Sequence, residues 1–384
     1  MTVCYWGTYD RDYPRNRVVR AGLRACGVEV RECHFPLWRD TGHKLRQARA
    51  GWLRPFLLLR WLRAYGTLSA RFLAAPRPDF VFVGYSGHFD VFPAWALSRL
   101  RRVPLVFDAF LSLYDSLVLD RDAVRRDGMK ARFLAWVDRT SCRLADRVLL
   151  DTRAHVQFFH ETFGVPEEKS WVIPIGADDR VFCPGTTPAA RNGHLYTILH
   201  FGRYIPLHGL ETVVGAARIL EEQGVSCRFL MVGEGEERAR IESLARRLDL
   251  RSLEFRDAEP SDRLAETIRE SDLCLGIFGE TGKASRVVPN KVYEAMATGK
   301  PVITGDSAAA REFLRPGEDC LLCTRGDAAS LAEAILRLKS DPALAERLAR
   351  TGRRRFEEKA APAVIGRELA GRLAAWKGEA GRAA

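Results

Sequence analysis

The chain has 384 residues, 47% of them hydrophobic and 28% charged, and a formal net charge of +11. That length implies about two domains rather than one, and the composition excludes a disordered or low-complexity chain. No apolar run reaches the ~18 residues that span a bilayer, and the opening Met1-Thr-Val-Cys-Tyr-Trp-Gly-Thr-Tyr-Asp10 has no signal-peptide core; the nine scattered cysteines predict a reducing cytoplasm rather than a disulfide scaffold.

Taken in chain order, Thr2–Trp6 reads as a strand, followed by Gly7 and Thr8 in a turn, a helix from about Asn16 to Cys26 and a strand at Val28–Cys33. Residues 41–78 then hold Lys44, Arg46, Arg49, Arg54, Arg60, Arg63, Arg71 and Arg77 and no acid. On a helical wheel Leu58, Trp61, Tyr65, Leu68 and Phe72 share one face, and Arg60, Arg63 and Arg71 the other. Two readings stay open: an interfacial helix on an anionic membrane, or an apolar stripe packed on a sheet with solvated arginines.

Further strands are predicted at Phe80–Gly84, Val103–Phe107, Arg147–Asp151 and Trp171–Pro174. Asp108 closes one of them, either as a cleft-facing ligand contact or, the favoured reading, as a carboxylate capping a loop. Tyr114, Asp115, Asp120 and Arg121 read equally as a ligand contact or as a solvated loop. Residues 1–188 carry 29 Lys and Arg against 20 Asp and Glu, whereas residues 189–384 carry 31 against 29. The basic excess of the first half attracts anionic partners.

Cys183–His194 is small, polar and rich in Pro and Gly, which marks a linker. Strands then follow at Tyr196–Phe201, Cys227–Val232, Leu253–Arg256, Leu273–Phe278, Pro301–Thr304 and Cys320–Leu322. Helices alternate with them at Leu210–Glu222, Glu236–Leu248, Asp262–Arg269, Lys291–Thr298 and Asp327–Lys339. Unalternated apolar strands separated by helices predict parallel sheets covered on both faces. The expected fold class is α/β, with two tandem doubly wound, Rossmann-like domains facing a cleft: residues 1–184, a linker at 185–194, and residues 195–362. A helix at 363–384 is expected to pack back on the first domain. Ligands of such sheets bind beyond the carboxyl ends of the strands.

Three local patterns carry chemistry. Gly202 allows a tight turn after a strand and Arg203 can fork to phosphate oxygens, although a surface turn with a solvated arginine explains both equally well. Gly233-Glu234-Gly235 is half a dinucleotide fingerprint lacking its third glycine, so a plain tight turn is favoured. Pro289 and Asn290 suit a helix start, with Lys291 and Glu294 on one face of the first turn. There an anion would meet free amides, the helix dipole and an ammonium group, while Glu294 is suited to accept from ribose hydroxyls; a surface pair between Lys291 and Glu294 is the alternative. Cys320-Leu-Leu-Cys323 has no second ligand pair and reads as a buried strand rather than a zinc site. The histidines show no metal spacing.

Gly202-Arg203 with Pro206-x-x-Gly209, then Val232-Gly-Glu-Gly235, then Glu294-Ala-Met-Ala-x-Gly-Lys-Pro-Val-Ile303 resembles the retaining glycosyltransferases of family 4, which have the GT-B architecture. Ala145-Asp-Arg-Val148 and Ile173-Pro-Ile-Gly-Ala-Asp178, leading to Phe182, look like the same family's inter-domain region. The resemblance implies that the second domain binds a nucleotide-diphosphate sugar as donor, with Arg203 and the position just before Gly209 on the diphosphate and Glu294 on the ribose. Two family positions are changed. His208 stands where the family has Lys, and Arg286 where it has the first Glu of a Glu-x7-Glu pair; Glu280 is the nearest replacement for that carboxylate.

The expected activity is therefore retaining transfer of a sugar to a glycan or lipid-linked acceptor in envelope or polysaccharide biosynthesis. Arg203, Lys291 and Glu294 are the expected catalytic set, and Gly202, His208, Gly209, Glu280, Arg286 and Asn290 the donor contacts. Gly7, Thr8 and Asp108 are the expected acceptor contacts. Neither a metal nor another cofactor is expected, fixed cations taking the place of Mg²⁺. The expected location is cytoplasmic, at the inner face of the membrane if residues 41–78 bind it, and no nucleic acid partner is expected. A nucleotide-sugar epimerase or phosphorylase-like enzyme on the same fold, and a basic non-catalytic binding protein, are the competing readings.

Overall fold

The computed structural model describes residues 1–37, 55–185 and 195–383. Lys44, Arg46, Arg49 and Arg54, and residues 186–194 of the linker, lie outside the described residues. The chain forms two compact units. One comprises Met1–Val118, Ala123–Pro174 and Pro362–Ala384, the other Leu119–Asp122 and Ile175–Ala361.

The first unit is built on a six-stranded parallel sheet of β1 (Thr2–Gly7), β2 (Glu29–His34), β3 (Phe80–Val83), β4 (Leu105–Asp108), β5 (Arg147–Leu150) and β6 (Ser170–Val172). Their order across the sheet is β2-β1-β3-β4-β5-β6. Side chains alternate between two buried faces, which is why the strands read as continuous apolar runs. Val3, Tyr5, Phe80 and Phe82 pack on one side with α1 (Pro14–Ala25). Cys4, Trp6, Val81 and Val83 pack on the other, under α2 (Pro55–Ala74), α3 (Val91–Arg101), α4 (Met129–Leu144) and α5 (Arg153–Phe163).

The apolar stripe of α2 divides. Leu68 and Phe72 are buried against the sheet, and the Tyr65 hydroxyl donates to Asp90 Oδ1 at 2.9 Å, so this half packs inward. Leu58 does not follow it: it is 42% exposed. Among the described residues no helix is long and apolar enough to cross a membrane.

The second unit repeats the plan with β7 (Thr197–Phe201), β8 (Arg228–Val232), β9 (Leu253–Arg256), β10 (Leu273–Leu275), β11 (Val302–Gly305) and β12 (Leu321–Cys323), ordered β12-β11-β10-β7-β8-β9 and all parallel. Its helices are α6 (Leu210–Glu222), α7 (Arg238–Arg247), α8 (Ser261–Glu270), α9 (Asn290–Ala297), α10 (Ala308–Phe313), α11 (Ala328–Ser340) and α12 (Pro342–Lys359). The sequence pattern does not announce α12. It buries only Leu344, Leu348, Gly352 and Phe356, a stripe one residue wide among arginines and glutamates. β10 is shorter than the predicted Leu273–Phe278, because the chain beyond it turns so that Phe278 N–H donates to the His208 carbonyl at 3.0 Å.

The last helix, α13 (Pro362–Ala383), belongs to the first unit and lies along α1. The helices meet at Gly22 and Gly366, where a Cβ on either would run into the backbone of the other. Ile365, Leu369 and Leu373 complete the core beneath, Trp376 packs edge-on against Trp171 with 6.0 Å between ring centroids, and Lys377 Nζ lies 2.6 Å from Asp79.

Candidate donor site and its relatives

The site is built where β7 and β8 end. Gly202, with φ 114°, and Gly233, with φ 143°, bring these two turns together; a Cβ on Gly233 would strike the Gly202 carbonyl. This close approach needs glycine at 233, and a Cβ on Gly235 would meet the Tyr204 backbone, so packing accounts for both glycines. After Gly202 comes the exposed Arg203, then the short turn Pro206–His208, closed by Gly209 at φ 60°. A Cβ at Gly209 would collide with the backbone of Phe278 and Gly279.

Helix α9 begins after Pro289, whose backbone is extended. Lys291 and Glu294, one turn apart, are only 5% and 9% exposed, which rules out a solvated surface pair. Lys291 Nζ lies 3.3 Å from His208 Nδ1 and 3.3 Å from His200 Nε2. Burial drives the Lys291 ammonium well below its ordinary pKa, and the Glu294 carboxylate only partly opposes this. Burial, followed by the neighbouring Lys291, pushes both imidazoles well below theirs. A cluster of three basic side chains is thus held with its charge suppressed, in a place where an incoming anion would restore it.

Two more cations act on His208 through space, Arg121 and Lys283. Lys283 is 5% exposed and lies 3.9 Å from Asp120 Oδ2; Thr281 Oγ1 donates to Asp120 Oδ1 at 3.0 Å. Arg121 Nε stands 3.5 Å from Glu236 Oε1. Sequence reasoning missed His200 and Lys283. His200 is an ordinary strand residue by pattern, and the only signal for Lys283 is a lysine beside glycine in the loop after a strand end.

The exposed Glu280 carboxylate lies against Gly326. Arg286 is half-buried beside Gly282, and Asn290 is half-buried at the start of α9. Cys320 and Cys323 are buried thiols on and beside β12, and among the described residues no group of three or more His, Cys, Asp or Glu is placed to hold a metal ion.

In the first unit the expected acceptor residues are turned inward. Thr8 N–H donates to Asp90 Oδ2 at 2.7 Å and its hydroxyl to Oδ1 at 2.9 Å, while a Cβ on Gly7 would meet the same carboxylate. Asp108 is fully buried, and its two oxygens accept from Arg15 Nε at 3.2 and 2.9 Å. Arg15 also donates to the carbonyls of Ile173 and Pro174. Burial raises the Asp108 carboxyl above its usual value, and Arg15 opposes that. Nearby, in the same unit, His88 Nε2 lies 3.4 Å from Asp138 Oδ1, and burial pushes Asp138 up to about 7.

Residues 196–341 match the family model for glycosyl transferases group 1, and residues 3–176 match that for the glycosyl transferase 4-like domain. The chain belongs to the group 1 glycosyltransferases. A similar curated protein is the putative colanic acid biosynthesis glycosyltransferase WcaL of Escherichia coli, 28% identical over 221 residues, which are 56% of this chain and 53% of WcaL. The chain spans about half the length of the curated relatives it matches. Among solved structures, Anabaena HepE in complex with UDP-glucose superposes with a TM-score of 0.70 at 16% identity, covering 97% of this chain and 99% of HepE. Sucrose-phosphate synthase from Thermosynechococcus elongatus gives 0.74 at 19% identity over 99% of both chains. The fold of this glycosyltransferase is GT-B, two α/β domains each with a parallel six-stranded sheet.

Proposed function

We propose that this chain transfers a sugar, with retention at the anomeric carbon, from a nucleotide-diphosphate donor to a glycan or lipid-linked acceptor of envelope polysaccharide synthesis. The observation that carries this reading is Lys291, buried between His200 and His208 at the start of α9 with Glu294 one turn on. A diphosphate meets there a cation, helix amides and the outlying Arg203, Arg121 and Lys283. The relatives' names, colanic acid and lipopolysaccharide core glycosyltransferases among them, support an envelope acceptor, and the UDP-glucose complex of HepE supports the donor class.

In this reading the bond from the anomeric carbon to the β-phosphate oxygen breaks and its electron pair stays on that oxygen. The acceptor oxygen bonds to the same face of the carbon, and its proton passes to the leaving phosphate. The chain's part is electrostatic: preorganised cations stabilise charge developing on the diphosphate, and Lys291 with its neighbours takes the role of a metal. A lipid-linked acceptor places the work at an anionic membrane surface.

The test is a panel of nucleotide sugars, followed by slow donor hydrolysis and then by nucleotide binding. One donor should be hydrolysed by the wild-type protein. Glu294→Ala should weaken nucleotide binding by roughly 1.5–3 kcal/mol, the range for a hydrogen bond to a charged group. Lys291→Ala should cut turnover on the order of 10²-fold or more, as loss of one preorganised donor does. A folded Glu294→Ala protein with unchanged affinity for every nucleotide would sink the ribose assignment.

A further inference from the structure

Nine of the eleven large apolar side chains exposed among the described residues lie on three successive helices of the first unit: α2 (Pro55–Ala74), α3 (Val91–Arg101) and α4 (Met129–Leu144). They include Leu62 at 71%, Met129 at 87% and Trp136 at 52% exposure. Phe133 and Trp136 among them are not isolated, as single surface apolar residues are. Rings run from one helix to the next: Trp61 to Phe89 at 5.5 Å, Phe89 to Phe133 at 6.3 Å, Phe133 to Trp136 at 5.9 Å and Trp136 to Phe92 at 5.7 Å between centroids.

The charge on these helices has one sign. Neither α2 nor α3 contains an acid, and the one acid of α4, Asp138, is fully buried. Arg63, Lys130, Arg132 and Arg139 are exposed on the same helices. A second copy of this chain seated on the face would bring like charges together, whereas a surface of anionic headgroups complements them.

We infer that the α2–α3–α4 face seats the protein on a phospholipid bilayer bearing anionic headgroups. The exposed leucines and rings enter the headgroup boundary, where one end of an indole is apolar and the other wet, and the basic residues meet phosphates. The purpose rests on the reading of a membrane-borne acceptor, but the face itself does not depend on the donor site. It also moves the contact from the stretch 41–78 as a whole to a surface shared by three helices, with Trp136 and Phe133 contributed from outside that stretch.

The experiment is cosedimentation of the full chain with phosphatidylcholine–phosphatidylglycerol vesicles and with phosphatidylcholine vesicles alone. Wild-type protein should pellet with the first, not the second, and leave as salt shortens the Debye length to below ~10 Å. Each basic residue near the surface is worth about fivefold in partitioning, so Lys130→Glu with Arg132→Glu should weaken binding at least about tenfold. Leu62→Ser with Trp136→Ser should weaken it at every salt concentration. Both variants should keep the wild-type circular dichroism and donor hydrolysis. Equal binding to both lipids, binding to neither, or variants that pellet like wild type would overturn the assignment. So would a wild-type dimer that these substitutions dissociate. Should a variant fail to fold, the lipid selectivity and salt release of the wild-type protein still decide. Absent donor hydrolysis with lipid-selective binding intact would defeat the transferase reading and leave the surface standing.

Discussion

Lys291 is a cation held where its charge is costly. Its pKa is lowered by burial, so between the folded value and the ordinary ~10.4 the unfolded chain holds more protons than the folded one. Stability therefore rises with pH through that window, and Lys291→Met should flatten the rise and stabilise the protein below it, as chemical denaturation at several pH values would show. A bound diphosphate has the opposite effect, favouring the protonated form. Nucleoside diphosphate binding should thus take up protons and strengthen as pH falls. Titration calorimetry in two buffers of different ionisation enthalpy reads this directly, and Lys291→Met should reduce the uptake. His208, depressed in the same way, adds to the uptake at lower pH. An uptake unchanged in Lys291→Met would assign the titration to another group.

At the scale of elements, two contacts fix the first unit. Arg15 on α1 reaches Asp108 at the end of β4 and the carbonyls of Ile173 and Pro174 after β6, and both charged side chains are fully buried. Arg15→Met leaves the carboxylate buried without its cation, so a loss of about 3–5 kcal/mol is expected in urea denaturation. Adding Asp108→Leu should recover much of it, since replacing both members of a buried pair by apolar groups is often close to neutral. The second contact is the α1–α13 crossing. Gly366→Val places a side chain where the α1 backbone runs. It should cost ~1–3 kcal/mol or more through overpacking, whereas Gly371→Ala, which meets nothing within 4 Å, should be neutral or slightly stabilising in a helix.

At the scale of the molecule, the buried apolar clusters among the described residues divide between the units, on both faces of the first sheet and around the second. Units with separate cores melt as separate steps. A nucleoside diphosphate at 100 times its Kd should raise the transition of the second unit by about 2.7 kcal/mol in differential scanning calorimetry. Truncation after Ala361 removes Ile365, Leu369 and Leu373 from the first core and should lower the other transition. A single transition shifted alike by nucleotide and truncation would show that the two units unfold together.

Local pattern determined most of the architecture. The strand runs, Gly202, Gly209 and the start of α9 are set by residue type and near neighbours, because turn geometry and two-sided burial act over a few residues. Helix α12 escaped because its buried stripe is one residue wide. Tertiary structure decided what the polar residues do. Asp108, Gly7 and Thr8 sit at strand ends, as their spacing suggested, yet Arg15 and Asp90, each some eighty to ninety residues away in sequence, take up the polar groups of Asp108 and Thr8. His200 and Lys283 join the cluster of Lys291 and His208 only through folding. The basic character of 41–78 was plain in the sequence, but which leucines and rings of the first unit stay outside depends on how α2, α3 and α4 pack on the sheet. Burial and long-range pairing are properties of distances between segments, and a linear pattern does not contain those distances.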